Sequence, residues 1–251
     1  MADLPFQATA FLILFARVGA VVMLLPAFSD EGIPGQIRLL LGLAATLGLY
    51  SFLSDRVAAA AANEAALGGT IVAELTVGLA MGTIIRIMFN AAAMAGAFAS
   101  VQVGLTSLLV PDSLMGGQVP MLSRVMTLCA TLVCLALGVH HLWIAGIVKS
   151  YTAFPVGALP PAEDFARLAV SAVTHAMSLG LSMAAPLMVY GILFHVALGL
   201  AARMAPTIQV FFISQPLNIL FGLALFAVTL GVALNGFARA MAEFMQSGWT
   251  S

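Results

Sequence analysis

The chain has 251 residues, 62% of them hydrophobic and only 8% charged, with a formal net charge of −1, and its mean hydropathy is +1.11. A soluble domain of this length cannot hide so much apolar surface in one core, so the composition points to an integral membrane protein or to a subunit that buries its faces in an assembly. Lys149 is the only lysine and there is no basic stripe to meet phosphates, which excludes nucleic acid as a partner. The start, Met1 to Gln7, carries Asp3 and no basic residue, and no cleavable targeting signal is expected there.

A span needs roughly 20 apolar residues. The first such segment runs from about Ala8 to Phe28 with Arg17 near its middle, and Pro26, Asp30, Glu31, Gly32 and Pro34 close it. Arg38 opens a second segment to about Leu53, followed by a connector from Ser54 to Glu64 whose alanine run, Ala58 to Ala62, can be helical. From Ala65 to Val110 the apolar pattern hardly stops, long enough for two helices or one long bent one. Its small residues, among them Gly78, Gly82, Ala91 and Gly96, suit close packing between helices.

The stretch from Gln102 to Pro120 then breaks the pattern. Its prolines and the Gly116-Gly117 pair cannot continue a helix, yet Leu105, Leu108, Leu109 and Val110 are too apolar for a loop that simply faces water. It reads either as a re-entrant turn packed within protein or as a gate. A further segment follows from Met121 to Ile147, then a proline-rich linker near 154–164. Leu168 to Leu200, with Pro186 inside it, is a kinked helix or two. In the last run, Ile208 to Phe237, Ser214-Gln215-Pro216 is expected to break or bend the helix early. The expectation is an all-α membrane-associated protein of about six hydrophobic segments forming a single domain over 1–251. Orientation is not set by charge, because basic residues are spread almost one per connection.

Arg17, Glu74 and Arg86 lie within apolar segments, where a charge costs about 2.5 kcal/mol or more and is paired or faces a water-filled cavity. They suit either an ion or proton path or a structural ion pair, and a single acid favours the pair. His140 and His141 are adjacent, pointing about 100° apart on a helix, and His175 and His195 are isolated, so no metal site is expected. Cys129 and Cys134, five apart on one helix, stand roughly 8 to 9 Å apart and remain free thiols. Met81, Met88 and Met94, like Met177, Met183 and Met188, read as core filler. No nucleophile motif, phosphate loop or CxxC is present, so neither catalytic residues nor a cofactor are expected.

Several stretches together resemble the FliR family, a component of the export gate of the bacterial flagellar type III secretion system. They are Phe15-Ala-Arg17-Val-Gly-Ala, Ile33-Pro34-Gly-Gln-Ile-Arg38-Leu-Leu-Leu-Gly-Leu-Ala, Glu74-Leu-Thr-Val-Gly78-Leu-Ala-Met-Gly82, Gln102-Val-Gly104-Leu105-Thr-Ser, Pro120-Met-Leu-Ser-Arg124 and Gly138-Val-His140-His141. The most specific follow: Ala197-Leu-Gly199-Leu-Ala-Ala-Arg203-Met-Ala-Pro206-Thr-Ile-Gln-Val-Phe-Phe-Ile and Gln215-Pro216-Leu.

The resemblance implies tilted and kinked helical hairpins, held mostly above the plane of the bacterial inner membrane in the flagellar basal body. It implies assembly with FliP-like and FliQ-like subunits, contact with an FlhB-like switch protein and with membrane lipid, and unfolded flagellar proteins as the exported substrate. It makes the matching loop, with Gln102, Gly104, Leu105, Thr106, Leu108, Leu109, Val110, Pro111 and Asp112, the channel's plug. Arg17, Pro34, Arg38, Glu74, Arg203, Pro206 and Pro216 are then residues of structure and assembly. The chain departs from the family pattern in having aliphatic Leu108, Leu109 and Val110 where an aromatic-containing loop is usual, Pro111-Asp112 in place of Asp-Pro, and Ala97 in place of a Glu before the Gln. The competing readings are a homologous subunit of a virulence injectisome and a secondary transporter with discontinuous helices around a midplane site.

Overall fold

A computed structural model describes residues 3–26, 28, 33–112, 117–159, 162–204 and 210–247. Seven α-helices and one two-stranded hairpin make up the described chain, apart from a single 3₁₀ turn at Glu64–Ala66. Helix α1 is Asp3–Leu24 and α2 is Gly35–Ala61. The alanine run expected to lie in a connector instead prolongs α2 past Leu53. Alanine is the best helix former, and no Gly or Pro intervenes.

Helix α3, Leu67–Val103, is a single helix of 37 residues, which resolves the choice between one helix and two. Strands β1, Leu109–Asp112, and β2, Gly117–Pro120, pair antiparallel, with Leu109 opposite Pro120 and Asp112 opposite Gly117. The interruption is thus a short hairpin rather than an irregular loop. Helix α4 spans Met121–Ala136 and α5 spans Val139–Ala153. The single segment expected from Met121 to Ile147 is divided at Gly138, whose φ of 74° is a conformation that glycine adopts without strain.

Helices α6, Ala162–Met204, and α7, Val210–Ser247, run through Pro186 and Pro216 respectively. The expected break at Ser214-Gln215-Pro216 is not there. An internal proline forfeits one backbone hydrogen bond, and in long apolar helices packed neighbours and local adjustment compensate for that loss.

Two compact units emerge. The first holds residues 1–88, 138–173 and 242–251, and the second holds 89–137 and 174–241. In the first unit Ile13, Leu14, Leu53, Met81, Ile85, Trp143 and Ile147 are fully buried. Helices α1 and α2 approach at Gly19 and Gly42, where a Cβ on Gly42 would stand 3.5 Å from the Gly19 Cα. Gly78 and Gly82, four apart on one face of α3, meet α1 still more closely: a Cβ at Gly82 would lie 2.7 Å from that of Leu24. This is the small-xxx-small contact by which membrane helices gain dispersion energy.

In the second unit Phe89 and Phe237 pack edge to face with ring centroids 5.2 Å apart. Gly96 of α3 lies against the first turn of α4, and the Ser123 hydroxyl there donates to the Ala93 carbonyl at 2.7 Å. Removing that hydroxyl with Ser123→Ala is expected to lower stability by about 1 kcal/mol, readable as a shifted unfolding midpoint in detergent.

Five of the helices are long and apolar enough to cross a membrane, and α4 with α5 would make a sixth as one broken span. This matches the six hydrophobic segments expected. Half or more of the apolar windows of α1 and α3 is buried, at 56% and 50%, against 17% for α2 and 22% for α6 and for α7. Phe52, Val228 and Val232 are among the large side chains left exposed on these three helices. Their apolar faces are suited to lipid or to other subunits rather than to water.

Candidate functional site

The hairpin is carried on the end of α3, and that end is firmly made. Gly104, at φ 83°, terminates the helix; its N–H donates to the Val101 carbonyl at 3.2 Å, while the Leu105 N–H donates to Ser100 at 2.8 Å. These paired bonds form a Schellman cap, which satisfies two of the last carbonyls that a helix leaves without partners. A third, that of Gln102, accepts a hydrogen bond from Asn218 Nδ2 of α7 at 3.1 Å. Asn218 is itself buried, and the Tyr190 hydroxyl of α6 donates to its Oδ1 at 3.0 Å.

Packing holds Gln102, Val103 and Gly104 at the same helix end. No room exists for a Cβ at Gly191, which faces the Gln102 side chain; a Cβ at Gly222 would stand 2.7 Å from Val103; and the Gly104 Cα faces the amide of Gln215.

Beyond this base the segment is apolar and open. Leu108 and Leu109 are each 48% exposed, Thr106 and Ser107 are exposed, and Val110 is partly covered. The Leu108 carbonyl accepts from the Met121 N–H at 2.9 Å, so the return strand leads directly into α4. Of Pro111 and Asp112 the structure describes only the backbone, in β1.

In the first unit lies a fully buried ion pair. Arg17 of α1 and Glu74 of α3 meet as a fork, with Nε 2.8 Å from Oε2 and Nη2 donating to Oε1 at 2.8 Å. The guanidinium also donates to the Ser150 Oγ at 3.2 Å and to the Phe154 carbonyl at 3.1 Å, and it sits 4.1 Å from the centre of the Tyr151 ring. Glu74 Oε1 accepts from the Gly157 N–H at 3.1 Å. Glu74, Gly78 and Gly82 recur every four residues, so one face of α3 carries both the carboxylate and the small residues that bring α1 close enough to reach it. The cluster therefore ties α1, α3, the end of α5 and the turn after it into one polar knot. With the two charges in contact at 2.8 Å and both Nη groups of Arg17 hydrogen-bonded, the arrangement suits cohesion rather than ion passage.

Other residues singled out by sequence stand apart from both places. Pro34 is the residue before α2, and Arg38 Nε donates back to the Ile33 carbonyl at 3.0 Å, fixing the entry to that helix. Arg203 lies in the last turn of α6, where a cation suits the helix dipole. Pro216 sits two residues before Asn218 inside α7, and Pro206 lies outside the described residues. Arg86, grouped with Arg17 and Glu74 by its setting, is twelve positions beyond Glu74 on α3, roughly 18 Å away along the helix. The rings of His140 and His141 are neighbours with centroids 4.1 Å apart, and no group of potential metal ligands forms among the described residues.

Sequence reasoning missed Asn218, Tyr190, Ser150 and Tyr151. The cue for the first two was an amide three residues after Gln215 and a lone phenol, each inside a long apolar run.

Comparison with known proteins agrees with this architecture. Residues 8–244 match the profile of "Bacterial export proteins, family 1". The flagellar biosynthetic protein FliR of Caulobacter vibrioides is 36% identical over 230 residues, covering 91% of this chain and 92% of the relative. Proteins of the same name from Bacillus subtilis and Escherichia coli are each 29% identical, over 229 and 221 residues, covering 89% and 84% of this chain and 86% and 80% of theirs. With a match running nearly end to end, the chain belongs to the FliR family of bacterial export proteins.

Proposed function

We propose that this chain is a non-enzymatic subunit of the flagellar type III export gate, in the bacterial inner membrane at the basal body. It assembles with FliP-like and FliQ-like subunits, contacts an FlhB-like switch protein, and helps to form the channel through which unfolded flagellar proteins pass. The segment from Gln102 to Pro120 closes that channel between export events. The observation that carries this reading is the half-exposed aliphatic hairpin on a bonded base: Leu108 and Leu109 project apolar surface that a surrounding protein wall would cover. The exposed faces of α2, α6 and α7 supply the area for assembly, and Arg17 with Glu74 serves cohesion within the chain.

Deleting Thr106 to Asp112 tests the sealing role. Complexes that assemble with the shortened chain should pass ions or small solutes across vesicle membranes in the absence of any export substrate. A membrane that stays tight would show that the hairpin is not the seal. Separately, the chain purified alone and found to move a small solute would contradict the assembly reading.

A further inference from the structure

We infer that Asn218 is the latch of the hairpin, holding its base closed and releasing it on opening; this rests on the sealing role proposed above. The amide occupies a position that hydrogen-bonding chemistry makes decisive. A helix leaves its last carbonyls unsatisfied, and the local chain end of α3 serves only two of them, Ser100 and Val101, through the Schellman cap. The next carbonyl, Gln102, is served from another helix by Asn218 Nδ2.

The amide's orientation is itself imposed. The Gln102 carbonyl can only accept, so Nδ2 must face α3, and Oδ1 is left to accept from the Tyr190 hydroxyl at 3.0 Å, which also lies 3.2 Å from the Asn218 carbonyl. The relay therefore runs from α6 through α7 to the residue at which the hairpin segment begins.

Shape makes the same contact selective for one position of the base. Gly191 accommodates the Gln102 side chain, Gly222 accommodates Val103, and Gln215 covers Gly104, so each of three consecutive residues has its own seat on α6 or α7. Just beyond Leu105 the segment opens out, and Thr106 to Leu109 are exposed. A hairpin fixed only at its base moves as a flap, and its resting position is set where the base is bonded. Asn218 both bonds to the α3 terminus and is buried against it.

The test compares assembled export complexes in sealed vesicles. Asn218→Ala and Tyr190→Phe should each raise substrate-free ion leak, Asn218→Ala by about tenfold, the shift in closed-to-open ratio that one lost buried hydrogen bond produces. If deletion of Thr106 to Asp112 leaks while both variants stay tight, the latch is overturned and the sealing role stands. If the deletion does not leak either, both fail. Should Asn218→Ala not assemble, a disulfide decides. Gln102→Cys removes the side-chain atoms that crowd Gly191, and a Cβ at Gly191 would then lie 3.0 Å from that of residue 102, a slight shift short of the usual disulfide spacing of about 3.5–4.5 Å, so Gln102→Cys with Gly191→Cys can clamp the base once Cys129 and Cys134 are replaced by Ala. Oxidised complexes should be tight and unable to export flagellar substrate until reduced. Unchanged export in the oxidised state would overturn the latch.

Discussion

Replacing Glu74 with Ala is expected to cost about 3–5 kcal/mol, the loss seen when one partner of a buried pair is removed and the other is left uncompensated. Here the abandoned group is the Arg17 guanidinium, 0% exposed and enclosed by Ser150, Tyr151 and the Phe154 carbonyl. The loss is readable as a lowered unfolding midpoint in detergent and as failure of the complex to accumulate. The double change Arg17→Leu with Glu74→Leu should recover part of it, because no charge is then stranded. It should not recover all, since the Phe154 carbonyl and the Gly157 N–H lose their partners, at about 1–3 kcal/mol for each group left unsatisfied. The same pair of variants separates cohesion from conduction. If the two charges carried protons, the double variant would abolish export even where the complex remains stable. The structural role requires export to follow the amount of assembled complex, and a Glu74→Ala protein as stable as the wild type would contradict it.

That ion pair marks where sequence stops being legible. Arg17 and Glu74 stand out in the chain because charges in apolar segments are costly, and a single acid already favours a pair. Their partnership depends on Gly78 and Gly82 letting α1 approach, which is a property of three dimensions. The recruitment of Ser150 and the Phe154 carbonyl, more than 130 positions from Arg17, leaves no local trace. Helix content was readable from composition alone, and helix ends were less so. Gly138 divides α4 from α5 although its immediate neighbours, Leu137 and Val139, are apolar, whereas Pro216 and Pro186, the stronger breakers by local rules, lie inside unbroken helices. Local grammar prices a proline as if water were the alternative. Within a packed apolar helix that alternative is worse, so the helix continues.

The hairpin segment was legible as an interruption, from its glycines, prolines and misplaced leucines, but not as a β-hairpin, because Pro111 and Pro120 argue against regular strands. Four-residue strands with only one partner tolerate them. Asn218 was hidden for the opposite reason: one amide among several in an apolar helix carries no motif, and its meaning comes only from the carbonyl it meets.

Gly96→Val is expected to do the greatest damage around the hairpin itself. A Cβ at this position would lie 2.5 Å from the Leu122 carbonyl oxygen, 2.5 Å from the Ser123 Cα and 2.7 Å from the Ser123 nitrogen. All three are backbone atoms, which cannot turn aside as a flexible side chain can, so α4 must move as a body. Overpacking of this kind costs about 1–3 kcal/mol or more, and the Ser123 bond to Ala93 would be lost with it. Gly231, with nothing within 4 Å of its Cβ position, supplies the control. Gly231→Ala should raise the stability of the isolated chain by up to about 1 kcal/mol through helix propensity alone. Functional consequences should differ as well, because β2 ends at Pro120 and α4 begins at Met121. Displacing the first turn of α4 pulls on the return strand, so any Gly96→Val complex that assembles should leak ions while Gly231→Ala complexes remain tight. A tight, fully stable Gly96→Val complex would mean that the first turn of α4 does not fix the hairpin's return strand.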